Sequence, residues 1–152
     1  MQKAEKMKKQ AFADRYPYGI FSCIRTMGHI YKSRGNFDLS AQYYQEALDY
    51  MLKNMPDQDP SQLYSSLAEY YRNTQKDYAT ALDYCEKALK SAKTERNIAQ
   101  AMIEKCLVLF RQGRIDEFND CYKEAVQMAD RCKLSASVSL LIAHISKNIL
   151  DK

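Results

Sequence analysis

The residues of this chain that could do chemistry are five cysteines, two histidines and a few carboxylate pairs. The cysteines stand at Cys23, Cys85, Cys106, Cys121 and Cys132, and the histidines at His29 and His144. Zinc ribbons and thioredoxin-type motifs need thiols roughly two to four residues apart, and no two of these are so spaced. The cysteine count is odd, and most fall on apolar positions of helical periodicity, where a free thiol packs as a small hydrophobe. That usage points to reduced cysteines, mostly buried, and to a reducing compartment. Two histidines do not make a His-rich metal site, and five thiols on packing faces argue against a Cys–His nucleophile pair. Asp116-Glu117 opens a helix, where dipole compensation accounts for it. There is no G-x-S-x-G elbow, no phosphate loop, no G-x-G-x-x-G and no H-E-x-x-H. The expectation is a protein without a catalytic site, metal or cofactor.

With no catalytic set to position, the elements themselves carry the information. The chain has 152 residues, enough for one compact domain, and 46% are hydrophobic. Gly (4) and Pro (3) are scarce, which disfavours the many tight turns of a sandwich or barrel and favours long helices. Tyr is abundant (12), a residue that seals a helix seam with its ring while its hydroxyl reaches the wet edge. The net charge is +4, of which +3 sits in the first ten residues (Lys3, Lys6, Lys8 and Lys9 against Glu5), leaving the rest at +1. A nucleic-acid footprint is a basic face across the folded body, so no nucleic-acid partner is expected. No signal peptide is expected at the start, and no apolar run approaches the roughly 18 residues of a membrane span.

Three stretches align: GNFDLSAQYYQEALDY (35–50), KDYATALDYCEKALKS (76–91) and GRIDEFNDCYKEAVQM (113–128). Each opens on an apolar or aromatic residue, Phe37, Tyr78 or Ile115. Ser40, Ala81 or Phe118 follows three residues on, then Tyr44, Cys85 or Tyr122 four further, then Ala47, Ala88 or Ala125 three further. Those offsets share one helical face, and the small alanines let a second helix come close. A partner helix precedes each stretch. The first, near 19–33, carries Ile20, Ile24, Met27 and Tyr31 with Gly28 at the tightest point. The second, near 60–74, carries Leu63, Leu67, Ala68 and Tyr71 and starts from Asp59-Pro60, an N-cap followed by proline. The third, near 95–111, carries Ile98, Met102, Cys106 and Leu109. The unit recurs every 37 to 41 residues, as in a solenoid.

Gly28-x-x-Tyr31, Gly35-Asn36-Phe37, Tyr44 and Ala47-Leu48 together resemble one good copy of the tetratricopeptide repeat. The second copy is similar, with Ala68, Tyr71, Tyr78, Ala81 and Ala88, but carries one extra residue before its second helix. In the third, Lys105 replaces the expected Leu and Phe118 replaces a small residue. The resemblance spans roughly 20–130. It implies an all-α, right-handed superhelical solenoid of antiparallel hairpins, a single domain over 1–152 with repeats near 19–54, 60–92 and 95–131. Residues 1–13 read as the second helix of an incomplete preceding repeat, which suggests a fragment of something larger. Residues 134–150, with Leu134, Val138, Leu141, Ile142, Ile145 and Ile149, read as a capping helix or the opening of a fourth repeat.

The resemblance also implies that the first helices of the repeats line a concave groove. The groove faces are then Ser22, Arg25, His29, Lys32 and Ser33 in the first repeat, and Gln62, Ser65, Glu69, Arg72 and Asn73 in the second. In the third they are Gln100, Ile103, Leu107, Phe110 and Arg111. The Lys-and-Asn clamp with which some relatives hold a chaperone's terminal carboxylate is absent, because His29 and Glu69 stand at its Asn positions. The expected groove is graded. Arg25, His29, Lys32 and Arg72 would receive acidic side chains, and Ile103, Leu107 and Phe110 an apolar anchor. The bland alternatives are a solvated basic face and an apolar patch covered by the 134–150 helix.

The leading function is a scaffold that binds a protein or an extended peptide. The alternative is the ligand- or protein-sensing part of a larger bacterial signalling protein, a sensor kinase or a transcription regulator. Base-by-base RNA reading is disfavoured by the near-neutral body and by Glu69 in the groove. Self-association through the terminal helices stays open, as does the compartment.

Overall fold

The computed structural model describes residues 17–133, and all of its regular structure is helical. The helices are α1 (Pro17–Ser33), α2 (Phe37–Asn54), α3 (Ser61–Tyr70), α4 (Tyr78–Ser91), α5 (Glu95–Arg111) and α6 (Ile115–Arg131), with one π-helical turn, Tyr71–Gln75, continuing α3. They pack as three antiparallel hairpins, α1–α2, α3–α4 and α5–α6, and each hairpin stacks on the next through α2–α3 and α4–α5. This is a tetratricopeptide-like helical solenoid. The expected helices at 2–13 and 134–150, and any self-association through them, lie outside the described residues.

Local chemistry starts and stops these helices. The side chains of Asn36, Asp77 and Thr94 accept hydrogen bonds from the amides of Leu39, Thr80 and Asn97, satisfying donors at the starts of α2, α4 and α5. At the ends of α1 and α5 the chain turns through Gly35 (φ 79°) and Gly113 (φ 73°), left-handed conformations that cost glycine nothing. Along each hairpin the small residues meet: Ala47, Ala88 and Ala125 are wholly buried, as are Ala68 and Cys106 on the first helices. Gly28 occupies the same position in α1. A Cβ there would lie 2.6 Å from Cε1 of Tyr44, so the Tyr44 ring fits beneath α1 only because residue 28 has no side chain.

The extra residue of the second repeat is housed in the π turn. In the first and third repeats an amide closes the first helix by donating to the carbonyl five residues back, Asn36 to Tyr31 (2.9 Å) and Arg114 to Leu109 (3.1 Å). In the second, Asp77 donates to Tyr71, six residues back (2.8 Å). The closing contact is preserved and the insertion swells the last turn outward, as single-residue insertions in helices commonly do. The residue before the closing amide is left-handed in all three turns, but here it is Lys76 (φ 54°) rather than glycine. Lys76→Gly is therefore expected to stabilise the protein by about 0.5–1 kcal/mol. A melting temperature raised by about 2–4 °C would register it, and a lowered one would contradict the strain.

The apolar core runs the length of the stack in three linked clusters. One joins α1 and α2 to Leu63 and Leu67 of α3. A small one, Ala68, Ala81, Cys85 and Val108, sits where the second and third hairpins meet. The last fills the α5–α6 hairpin around Met102, Cys106, Leu109 and Phe118.

Candidate functional site

Between α1 and α3 the described residues leave a channel with room for a ligand. Its floor is Tyr44 of α2, a buried ring whose hydroxyl meets Nδ1 of His29 at 2.7 Å. Two clefts of about 110 Å³ each open on either side of that ring. One has Phe21, Met51 and Leu63 below and Arg25, His29, Asp59 and Gln62 around it. The other has Phe37, Ala41 and Tyr70 below and Lys32, Glu69, Asn73 and Thr74 around it. Each therefore has an apolar base and a polar rim. Drug-sized ligands need roughly 300–1,000 Å³, so the size here suits single side chains of a longer ligand.

Arg25 lies with its guanidinium 5.1 Å from the centre of the Phe21 ring, which steadies the cation while leaving it half-exposed. His29 is exposed, yet partial burial lowers its pKa, and the neighbouring charges of Arg25 and Lys32 lower it further. It is thus neutral at pH 7, and the Tyr44 hydroxyl can donate to it. Burial also raises the Tyr44 pKa, keeping the phenol protonated. Lys32 of α1 reaches Glu69 of α3 at 3.0 Å and bridges the channel at mid-length. Gln62 is exposed and donates through Nε2 to Oδ1 of Asn97 on α5 (3.3 Å). Ser65 is half-buried on the same helix. Asp59 does more than open α3. Burial opposes its charge, but hydrogen bonds from the Lys93 amide (2.7 Å), Asn97 (3.0 Å) and the Ser61 amide (2.8 Å) outweigh it and hold its pKa low. Those bonds tie the start of the second repeat to the start of the third.

Not every residue of the expected groove faces the open channel. Arg72 was expected on a basic rim. It is 5% exposed, and its Nε donates to Oε1 of Glu104 on α5 at 2.6 Å. The pair joins the π turn after α3 to α5 inside the stack. Burial raises the Glu104 pKa, against the pull of Arg72. Ile103 and Leu107 are buried too, at 8% and 9% exposure, and belong to the core of the third hairpin. Phe110 is half-buried, its ring 5.5 Å from that of Phe118. None of these four side chains lines the two clefts, and three of them are buried. Of the expected residues, Arg25, His29, Lys32, Gln62 and Glu69 line the clefts; Ser65 lines neither, and its neighbour Ser66 lines both. Sequence reasoning missed Tyr44 as the floor and Glu104 as the partner of Arg72. A lone carboxylate among Met102, Ile103, Cys106 and Leu107 was the available signal, because a charge on a helix that is apolar all round needs a buried counter-ion.

Among the described residues no group of His, Cys, Asp and Glu could hold a metal ion, and no helix is long and apolar enough to cross a membrane. No curated protein matches the chain significantly. Residues 20–94, which run from α1 past the end of α4, match the family model described as tetratricopeptide repeat. Repeats of this family are in general non-catalytic scaffolds that bind proteins or peptides. The helical pairs, their close-packed alanines and that match agree on tetratricopeptide repeats over residues 20–94.

Proposed function

We propose that this protein binds an extended segment of another protein along the channel between α1 and α3. The observation that carries the reading is the pair of clefts flanking Tyr44, each of side-chain size with an apolar base and a polar rim. An extended strand projects alternate side chains at a regular interval, and two adjoining clefts suit two such anchors. Arg25 is the cation of the rim without an ion-pair role across the channel, so it favours an acidic residue at the neighbouring position of the ligand. Lys32 and Glu69 satisfy each other and set a polar step between the two anchors. The channel walls are packed helices, so little ordering free energy is lost on binding.

The test is selection of displayed random peptides on the purified chain, followed by affinity measurement on variants. Selected peptides should carry an acidic residue near an apolar one. Arg25→Glu should weaken them about tenfold or more, equivalent to about 1.4 kcal/mol, with an unchanged melting temperature. Binders insensitive to Arg25→Glu and to Gln62→Arg would place recognition elsewhere and overturn the reading.

A further inference from the structure

The third repeat departs from the first two at one position of its second helix. Tyr43 and Tyr84 occupy it in the first two repeats, and each stacks on a tyrosine of the preceding helix, Tyr31 and Tyr71, with ring centres 5.5 Å apart. In the third repeat the position is Cys121, and the partner position is Leu109. The smaller side chain has two consequences. An open cleft remains between α4, α5 and α6, lined by Leu89, Met102, Lys105 and Cys121 with Glu117, Asp120 and Glu124 at its edge. And the Cys121 sulfur comes to 3.1 Å from that of Cys106, which is wholly buried on α5.

We propose that Cys121 and Cys106 form an oxidisable dithiol, in which Cys121 is oxidised by hydrogen peroxide that enters the cleft and Cys106 resolves the product to an intramolecular disulfide. Access separates the roles, since Cys121 is half-buried on the cleft wall and Cys106 has no exposed surface. Electrostatics separates them in the same direction. The Cys106 thiol donates its hydrogen bond to Cys121 sulfur, which lowers the Cys121 pKa, and Lys105 lowers it further. That same bond, with burial, raises the Cys106 pKa. A thiolate rather than a thiol is the nucleophile. The three carboxylates at the edge disfavour an anionic oxidant such as glutathione disulfide and leave an uncharged peroxide unopposed.

The chemistry balances in two steps. The Cys121 thiolate attacks a peroxide oxygen, an S–O bond forms, the O–O bond breaks, and the departing hydroxide takes a proton to become water. The product is a sulfenic acid. Cys106 then loses its proton and attacks the sulfenyl sulfur, an S–S bond forms, the S–O bond breaks, and a second water leaves. Two thiols have been oxidised and one peroxide reduced. The disulfide ties α5 to α6 within the third hairpin, and a thiol reductant reverses it.

Reduced full-length chain is exposed to hydrogen peroxide and, separately, to glutathione disulfide, then alkylated and mapped by mass spectrometry. With peroxide the protein should lose the mass of two hydrogens, and tryptic peptides 106–111 and 115–123 should appear cross-linked. Cys23, Cys85 and Cys132 should remain alkylatable, and the oxidised form should melt at a higher temperature. In Cys106→Ala, dimedone should capture a sulfenic acid on Cys121, while Cys121→Ala should show none on Cys106. Absence of the cross-link, a different cysteine pair, or faster reaction with glutathione disulfide ending in a mixed disulfide at Cys121 would each overturn the proposal. The wild-type map decides the matter even where a variant fails to fold.

Discussion

Arg72→Ala is expected to destabilise the protein by about 3–5 kcal/mol, the cost of leaving a buried charge without its partner. Arg72 gives two bonds to the Glu104 carboxylate, Nε to Oε1 at 2.6 Å and Nη2 to Oε2 at 3.4 Å, and both side chains are nearly closed to solvent. Alanine removes the cation and leaves a buried carboxylate without its counter-ion. The loss should depend on pH. The Glu104 pKa is already raised by burial, and removing Arg72 takes away the main force opposing that rise. A carboxyl whose folded pKa exceeds its unfolded value is most favourable below the unfolded pKa and loses that contribution as pH rises through the folded pKa. The variant should therefore be less impaired in mild acid than at neutral or alkaline pH. Urea denaturation across that range is the measurement. Arg72→Met combined with Glu104→Leu should recover most of the loss, because apolar groups of similar volume replace a buried pair at little net cost. A loss under about 1 kcal/mol would mean that the pair behaves as a solvated surface bridge, and would return Arg72 to the groove.

Phe110→Ala should cost about 2–4 kcal/mol, somewhat below the range for a wholly buried phenylalanine because the ring is partly exposed. Its neighbours explain the size of the effect. Phe110 packs on Phe118 at 5.5 Å between ring centres, and Phe118 in turn lies 5.6 Å from Tyr122, so the ring belongs to a run of aromatics between α5 and α6. Phe118 stands where the first two repeats have Ser40 and Ala81, and this larger residue is accommodated by the aromatic run. Truncating Phe110 opens a cavity beside it. Thermal melts of the variant test this directly. A near-unchanged melting temperature with weakened peptide binding would make Phe110 a ligand anchor rather than a core residue.

Helix positions and hairpin pairing were legible in the sequence because they depend on short-range pattern. Offsets of three and four residues put Ile20, Ile24 and Met27 on one face of α1 whatever lies beyond it, and Ala47, Ala88 and Ala125 marked the contacts where helices approach most closely. Recurrence every 37 to 41 residues then fixed which helix pairs with which. The extra residue of the second repeat was visible as a count, but its form was not. Whether it would lengthen a loop or swell a turn depended on keeping the Asp77 amide on the Tyr71 carbonyl. The faces turned towards the next repeat were decided by the tertiary structure alone. A helix in a stack touches its own partner and its successor, and the angle between successive hairpins determines which of its remaining positions are covered. That angle puts Arg72 against Glu104, yet leaves Arg25, Lys32 and Glu69 at an open channel. Residues equivalent in the repeat alignment thus differ in exposure, because equivalence along the chain does not specify the distance to the neighbouring repeat. The same holds for Cys106 and Cys121. They are 15 residues apart with no motif between them, and only the crossing of α5 and α6 brings their sulfurs together.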